Sequence, residues 1–257
     1  MLREIKHMLP SSFTINNMIK TNGIIINHYK YSDTSVIIKI FSEEEGLISS
    51  IIKGAKSQKK KYNSSLIQRL SIVELIYKKN HKSDLVQIID IKSKDYINNI
   101  YFNSNKRIIA LFMSEFLSKI IKESGPNKSL YIFIENSIKL INITEKKIIS
   151  FHLMFMIKIT KYLGFYPTII APNKSKYFDI LNGIFTNIKP NHNYLLSGHQ
   201  MKCWILLLKT EFTKFDELNF SQSESKATLK NLNLFYKLHV DNYRKLKSDY
   251  ILDLLEY

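Results

Sequence analysis

Cysteine is almost absent from this sequence, since Cys203 is the only one among 257 residues. A single thiol excludes an intramolecular disulfide and any cysteine-rich zinc site. Cys203 lies in the apolar, helix-like segment MKCWILLLK, so we expect a small buried side chain rather than a nucleophile. A reducing, cytoplasmic environment fits this composition.

Long apolar runs are missing as well. No stretch of about 18 apolar residues occurs, and the N-terminal MLREIKHMLPSSF has no uninterrupted apolar core. The sequence therefore predicts neither a membrane span nor a secretory signal. We expect a soluble intracellular protein with no membrane partner.

Motifs for phosphate binding and catalysis are also lacking. Glycine is scarce, with seven residues, and neither G-x-x-x-x-G-K-[ST] nor G-x-G-x-x-G occurs. No G-x-S-x-G or cysteine elbow marks a nucleophile. The seven histidines form no H-E-x-x-H motif and no pair at i, i+4. The sequence predicts a protein that is not an enzyme and has no catalytic residue, cofactor or metal site.

Acidic residues are in short supply: 22 Asp and Glu stand against 38 Lys and Arg, which gives a net charge of +16. A surface of this charge attracts polyanions such as nucleic acid, acidic peptide tails or anionic lipid. A composition rich in Ile, Lys and Asn, as an AT-rich genome imposes, also raises the lysine count. The location of the charge is therefore more informative than its sum.

The positive charge concentrates between Lys53 and Lys82. This segment holds nine basic residues and one acid, Glu74, and so carries half of the net charge. Its densest part is KGAKSQKKK, residues 53–61, with five lysines and no acid. Compositional bias alone would not produce such a cluster. A binding loop is the interpretation we favour, and a merely solvated loop is the alternative.

Short runs rich in β-branched and aromatic residues predict five strands between residues 22 and 91. The runs are NGIIINHYK, TSVIIKIF, LISSIIK, RLSIVELIY and DLVQIIDI, with turn signals between them. So few strands avoid exposed edges by closing on themselves. We therefore expect a small closed barrel.

Beyond residue 100 the apolar residues recur every three or four positions, as in SNKRIIALFMSEFLSKIIKES, which predicts an amphipathic helix ended by Gly125-Pro126. Further helices are predicted over 129–142, 145–163, 197–209, 223–240 and 249–255. The one over 145–163 is expected to follow a Thr144 cap and to end at Gly164. Asn182-Gly183 predicts a tight hairpin.

Binding of single-stranded nucleic acid requires cations along the phosphates and flat side chains on which bases stack. The predicted barrel has candidates for both. The candidate cations are Lys39, Lys53, Lys56, Lys59, Lys60, Lys61 and Arg69, and the aromatics are Tyr29, Tyr31, Phe41, Tyr62 and Tyr77. Packing within strands accounts for any one aromatic equally well. No helix carries the side chains of a base reader, so binding should tolerate any sequence.

Four stretches, in their order and spacing, resemble the RecO family of bacterial DNA recombination and repair mediators, over nearly the whole chain from about Met18. They are GIIINHYKYSDTSVIIKIFSEEEGLISSIIKGAK, TKYLGFYP, YFDILNGIF and FYKLHVDNYRKLKS. The resemblance implies an α+β protein, in which an N-terminal OB-fold β-barrel precedes an all-α C-terminal domain with a small β-hairpin insertion. We expect an extension over 1–17, the DNA-binding barrel over 18–95 and the helical domain over 96–257.

The resemblance also implies a function. Such a protein binds single- and double-stranded DNA and anneals complementary strands. It contacts the acidic C-terminal tail of single-stranded DNA-binding protein (SSB) and, with RecR, helps to load RecA onto SSB-coated DNA. Lys53 and Lys56 match the family's basic motif on either side of Gly54, so DNA contact is carried over to them. Lys59, Lys60, Lys61 and Arg69 are candidates on charge alone.

An SSB tail is acidic and ends in an apolar residue, so its receptor should combine a hydrophobic pocket with cations. In the helical domain the candidates are Arg107, Lys158 and Lys161 beside Phe112 or Phe116. Solvated lysines on helices are the simpler explanation of the same pattern.

The sequence departs from the family in two places. Many relatives have four zinc-binding cysteines before the hairpin, whereas residues 167–176 contain none, so zinc is not implied and packing must hold the hairpin. The first 17 residues precede the usual start, either as a real extension or because Met18 is the initiator.

Functions of other classes also remain open. An RNA-binding OB-fold protein of translation or RNA processing would show the same charge and aromatics, because phosphates and stacking do not separate RNA from DNA. A hydrolase with an unfamiliar site and a basic membrane-surface protein have less support.

Overall fold

The computed structural model of the chain describes residues 14–15, 18–52, 64–79, 84–122, 125–168 and 174–255. The chain divides into two compact units: residues 1–102 with 113–142, and residues 103–112 with 143–257. The first unit contains helical residues as well as strands, because these helices pack with the strands.

Six strands form the sheet of the first unit. They are β1 (Thr14–Ile15), β2 (Met18–Lys30), β3 (Val36–Ser42), β4 (Gly46–Ile52), β5 (Ile72–Lys78) and β6 (Leu85–Ser93). The sheet order is β1-β2-β3-β4-β6-β5, and β2 also pairs with β5. That last pairing closes β2 to β6 into a five-stranded, OB-like barrel, which confirms the predicted fold class and the five strands. Thr14–Ile15, within the expected extension, pairs antiparallel with β2.

Alternate residues of the strands fill the barrel. On β4 the burial alternates along the whole strand, so that Ile48, Ser50 and Ile52 point inward. The interior is almost entirely aliphatic, with Ile25, Val36, Ile38, Ile40, Ile48, Ile52, Val73, Leu75, Tyr77 and Ile91 in one cluster. Each such side chain contributes roughly 1.5–3 kcal/mol through its burial.

A β-bulge in β2 decides which of its side chains face outward. Ile25 pairs with Ile40, but the next pair is Asn27 with Lys39, so Ile26 is an extra residue. The extra residue turns Asn27 to the face opposite Ile25. The carbonyl of Ile26 is satisfied elsewhere, because it accepts a 2.6 Å hydrogen bond from the Ser114 hydroxyl.

Three helices contribute to the first unit: α1 (Asn98–Phe102), the second half of α2 (Ser104–Ile120) and α3 (Lys128–Ile143). Tyr131 of α3 packs against Phe41, with ring centroids 6.1 Å apart. Glu135 accepts a 2.8 Å bond from Lys94, which follows β6. The barrel face that bears Phe41 is therefore covered by α3.

The second unit is mainly helical, with α4 (Phe151–Leu163), α5 (Gly198–Lys209) and α6 (Gln222–His239). A small sheet of order β8-β7-β9 is formed by β7 (Tyr177–Asp179), β8 (Ile184–Thr186) and β9 (Leu195–Ser197). Phe178 of this sheet packs on Trp204, with ring centroids 4.8 Å apart. Aromatic packing thus holds the sheet to α5.

The small sheet confirms the predicted hairpin and adds a strand, β9, that the sequence did not indicate. The turn holds four residues, and Gly183 at its end has φ +66° and donates its N–H to the Asp179 carbonyl at 2.8 Å. This left-handed backbone favours glycine because a Cβ would crowd it.

Two helix predictions need correction. Helix α4 begins at Phe151, not after Thr144, whose hydroxyl accepts the Lys146 N–H in a local turn at 3.2 Å. The segment Lys247–Leu254 is a 3₁₀ helix rather than an α-helix. Gly164 ends α4 as predicted, with φ 86°.

Gly23 is a position where only hydrogen fits. It pairs with Ser42 of β3 and Val73 of β5, and an added Cβ would lie 2.5 Å from Ile40 Cγ2 and 2.9 Å from Leu75 Cδ2. We expect Gly23→Ala to lower the free energy of unfolding by about 1–3 kcal/mol, as overpacking does. Urea denaturation measures this loss.

Gly125→Ala is the matched control, because an added Cβ there meets nothing within 4 Å. Equal stability of the two variants would show that the barrel can widen at Gly23 without cost.

Candidate nucleic-acid interface

A row of polar side chains crosses the outward-facing side of three barrel strands, where Asn27 is buried and Lys39 and Ser49 are partly exposed. Lys39 of β3 pairs with Asn27 on one side and with Ser49 of β4 on the other. Residues paired in this way point to the same face, with Cβ atoms about 5 Å apart. Tyr29, two residues after Asn27, shares their face.

Arg69 joins this row through a hydrogen bond. Its Nε donates to Asn27 Oδ1 at 3.1 Å, and Asn27 Nδ2 donates to the Tyr29 hydroxyl at 3.0 Å. The Arg69 carbonyl accepts a 2.9 Å bond from the Tyr101 hydroxyl, which fixes the backbone at the same point. We call Asn27, Tyr29, Lys39, Ser49 and Arg69 the outer-face patch.

Three carboxylates of the barrel form ion pairs with lysines. Glu43 contacts Lys128 at 3.3 Å, Glu45 contacts Lys79 at 2.5 Å, and Glu74 contacts Lys20 at 3.1 Å. Burial opposes ionisation of Glu43, but the Asn22 and Lys128 contacts outweigh it and hold its pKa below the usual value. Within the described part of the chain, no carboxylate pairs with Lys39 or Arg69.

The lysine cluster lies outside the described residues, and so does Tyr62. Lys53, Lys56, Lys59, Lys60 and Lys61 belong to the connection between β4 and β5. Its two described ends are both on the barrel: β4 ends at Ile52, paired with Val36, and the 3₁₀ helix Ser64–Ile67 packs Leu66 and Ile67 against the core. That helix leads directly to Arg69.

The aromatic candidates separate into two groups. Tyr29 and Tyr31 are exposed, at 47% and 61%, at the end of β2 and in the turn to β3. Phe41 and Tyr77 are buried, so they contribute to packing and neither ring is accessible for stacking with a base. Burial also raises the pKa of the Tyr77 hydroxyl.

The candidates for a partner site on the helices do not form a pocket with the two phenylalanines. Phe112 and Phe116 are fully buried, and Phe112 packs edge-on against His152 at 5.7 Å. Their periodicity marks an apolar helix face, and that face is used for packing. Neither ring is exposed to a partner in this structure.

The basic candidates on the helices differ in exposure. Arg107 and Lys161 are exposed, whereas Lys158 is half-buried and its ammonium donates to the Leu208 carbonyl at 2.8 Å. Burial lowers the pKa of Lys158, and the nearby charge of Lys161 lowers it further. Lys158 is thus held by the protein's own backbone.

A basic groove in the second unit escaped the sequence analysis. It measures about 580 Å³ and lies between α6 and the last residues of the described chain. We define this C-terminal groove by its lysines and apolar side chains, which are Lys226, Lys230, Lys237, Lys245, Leu229, Leu234, Tyr243 and Tyr250.

Both acids that line the C-terminal groove are engaged. Asp253 contacts Lys226 at 3.0 Å, and Asp249 accepts a 3.1 Å bond from Asn233. In the sequence, the groove could have been inferred only from the spacing of Lys226, Lys230 and Lys237, which places these lysines on one helix face.

Membrane insertion finds no support in the helices. Among those of the described residues, not one combines the length and the apolar character that crossing a bilayer requires.

An OB-like barrel, followed in the chain by a mainly helical unit that includes a small sheet, defines a class of two-unit α+β proteins. Two family models match the chain: "Recombination protein O N terminal" over residues 17–96 and "Recombination protein O C terminal" over residues 103–249. The chain belongs to the RecO family of DNA repair proteins.

Individual relatives agree with the family models. A DNA repair protein RecO of Azobacteroides pseudotrichonymphae is 31% identical over 90% of this chain and 96% of its own length. The RecO of Flavobacterium johnsoniae is 32% identical over 93% of this chain and 98% of its own. The RecO of Bacteroides fragilis is 29% identical, with 92% and 97% covered.

The hydrogen bond to Asn27 should orient Arg69. In Asn27→Ala the Arg69 Nε–H loses its acceptor, and we expect its hydrogen exchange to accelerate about fivefold, since such a bond contributes about 1 kcal/mol. Exchange-sensitive NMR of the arginine side chains measures the rate. Ser49→Ala, also in the outer-face patch but not bonded to Arg69, should leave it unchanged. An equal rate in Asn27→Ala would show that Asn27 does not position the guanidinium.

Proposed function

We propose that this protein binds single- and double-stranded DNA through the outer-face patch and the lysines of the β4–β5 connection. The observation that carries the proposal is the placement of Lys39 and Arg69, without carboxylate partners among the described residues, on β3 and beside it. OB folds bind oligonucleotides on the surface of their second and third strands. In this barrel those strands are β3 and β4.

The chemistry of this surface suits nucleic acid. Lys39 and Arg69 provide cations for phosphates, and the exposed rings of Tyr29 and Tyr31 provide stacking surfaces for unpaired bases. The binding tolerates any sequence, because phosphates and stacking carry no base code. If six cations contact phosphates, the log–log salt slope on single strands is roughly −4, from about 0.7 counterions per contact.

Annealing follows from the same physics. Neutralised phosphates let two strands approach each other, and contacts limited to phosphates leave the strands free to shift until they pair. With RecR, the protein then assists loading of RecA onto SSB-coated DNA, and it breaks no covalent bond. Membership in the RecO family supports this role.

Charge reversal in the outer-face patch tests the DNA site. Arg69→Glu or Lys39→Glu should weaken binding of labelled single-stranded DNA at least about tenfold, because a charge-assisted hydrogen bond contributes roughly 1.5–3 kcal/mol. Each should also reduce the salt slope by about 0.7 or more. Reversal of Lys53, Lys56, Lys59, Lys60 and Lys61 together should lower both affinity and annealing rate further. Fluorescence titrations at several salt concentrations supply these values.

Lys92→Glu is the matched control, because Lys92 is exposed on β6, and its reversal changes the net charge by the same amount. If Lys92→Glu weakens binding as much as Arg69→Glu, total charge rather than the outer-face patch governs affinity. Competition between matched DNA and RNA oligonucleotides addresses the RNA-binding alternative, which a preference for RNA would support.

The acidic tail of SSB is the second partner, and the helical unit is its receptor. The C-terminal groove has the required chemistry: lysines surround the apolar side chains of Leu234 and Tyr250, so acids and a terminal apolar residue can bind together. The phenylalanines expected beside the earlier candidates Arg107, Lys158 and Lys161, which are Phe112 and Phe116, are both fully buried.

A short acidic peptide with an apolar C-terminal residue tests this receptor. Lys230→Glu and Lys237→Glu should each weaken its binding about fivefold to tenfold, as measured by fluorescence anisotropy, because each reverses a lysine that lines the groove. Lys161→Glu, an exposed lysine on α4, is the comparison. Loss of binding in Lys161→Glu alone would place the tail on α4. Displacement of the peptide by DNA would assign the groove to nucleic acid.

A further inference from the structure

Three side chains of different chemistry meet where helix α5 begins. His199 and Cys203 are one helical turn apart on α5, and Glu224 lies in the first turn of α6. His199 Nε2 lies 2.5 Å from Glu224 Oε1 and 3.9 Å from Cys203 Sγ. One potential ligand atom from each residue lies within 4.8 Å of the others.

These distances are close to those of a metal site. Zn²⁺ binds imidazole nitrogen at about 2.0–2.1 Å, thiolate sulfur at about 2.3 Å and carboxylate oxygen at about 2.0–2.2 Å, usually in tetrahedral geometry. Ligand atoms around such an ion are roughly 3.3–3.7 Å apart by the same bond lengths. The sulfur–nitrogen pair, at 3.9 Å, must close by a few tenths of an ångström. The nitrogen–oxygen pair must open, and the His199 side chain, which is 69% exposed, has room to rotate.

We propose that His199, Cys203 and Glu224 bind a divalent cation of intermediate softness, with Zn²⁺ as the best fit. A thiolate and an imidazole favour Zn²⁺ over Mg²⁺ or Ca²⁺, which prefer oxygen ligands. His199 is the most exposed of the three side chains, so the fourth coordination position would be open to solvent on its side. A water molecule or an external ligand occupies it.

The surroundings of the three residues prepare the site. Glu224 belongs to a capping box at the start of α6, in which its Oε2 accepts the Ser221 N–H at 2.7 Å. This contact fixes the carboxylate and leaves Oε1 toward His199. Cys203 is only 4% exposed, so the protein itself shields the sulfur from solvent. Such outer contacts orient the ligands of metal sites.

A bound cation would join α5 to the beginning of α6. His199 follows β9 with only Gly198 between them, so the same link reaches the edge of the small sheet. Because the unfolded chain does not hold the three ligands together, binding stabilises the folded helical unit. Histidine-pair motifs in the sequence do not indicate this site, because its ligands are three different residue types and Glu224 is distant from the other two in the sequence.

Metal titration of the full-length, chelator-treated protein tests the proposal. Co²⁺ should bind at a ratio of one per chain and produce a thiolate-to-cobalt charge-transfer absorption band, and Zn²⁺ should displace it. Zn²⁺ should also raise the unfolding temperature. His199→Gln and Glu224→Gln should each weaken Zn²⁺ binding at least about tenfold, in a competition assay with a chromophoric chelator. Glu224→Gln is informative because glutamine also completes a capping box.

His192→Gln is the matched control, because His192 also contacts a carboxylate, Asp179, at 3.4 Å, but has no thiol beside it among the described residues. It should bind Zn²⁺ as the parent protein does. Cys203→Ser should abolish the charge-transfer band. If this substitution of a buried residue unfolds the protein, the Zn²⁺ affinities of the His199 and Glu224 variants test the proposal instead. Unchanged Zn²⁺ affinity in those two variants, or Co²⁺ binding without the band, would overturn the proposal.

Discussion

The double pairing of strand β2 is the constraint on which the first unit depends. One end of β2 pairs with β5 and the other with β3, so this strand closes the barrel, and Gly23, in register with both neighbours, allows the close approach. The bulge at Ile26 turns the side chains of the residues that follow it to the opposite face of the sheet. Ile25 contributes to the interior, while Asn27 turns to the opposite face, where it is largely buried and bonds to both Tyr29 and Arg69. A regular strand would have placed Asn27 in an aliphatic core, where its amide would lack partners at a cost of about 1–3 kcal/mol.

Charge is distributed unevenly over the described barrel. Glu43, Glu45 and Glu74 are each paired with a lysine, so the charges of these acids are largely neutralised where they lie. Lys39 and Arg69 have no such partner among the described residues, and the lysine-rich connection leaves the barrel at Ile52, on the same sheet. The positive charges of Lys39 and Arg69 are therefore not neutralised by an ion pair within the described barrel. Unneutralised cations on a protein surface attract polyanions, which is the basis of the proposed DNA binding.

The predictions from sequence succeeded where the signal was local and were incomplete where it depended on distant residues. All five barrel strands and the helices around residues 104–120, 128–143 and 198–209 follow from periods of two or of three to four residues. Tyr29 and Tyr77 both fit the two-residue period of their strands. The period therefore could not predict that Tyr29 is exposed and Tyr77 is buried. Phe112 and Phe116 were correctly assigned to an apolar helix face, but the periodicity does not tell whether that face meets a partner or the protein's own core. Thr144 has the residue type of a helix cap, yet its hydroxyl is used in a turn with Lys146.

The sequence by itself determined the closed barrel, the helical second half, the RecO family and the segment where positive charge is densest. These follow from neighbours in the chain and from motifs in order, which need no knowledge of packing. Only the tertiary structure decided that Arg69 bonds to Asn27, that lysines of α6 and the chain end share a groove, and that His199, Cys203 and Glu224 meet. The physical reason is that each of these sites joins residues from different elements. Strand register, a bulge and the packing of helices determine the distances between these residues. No local sequence pattern predicts such distances.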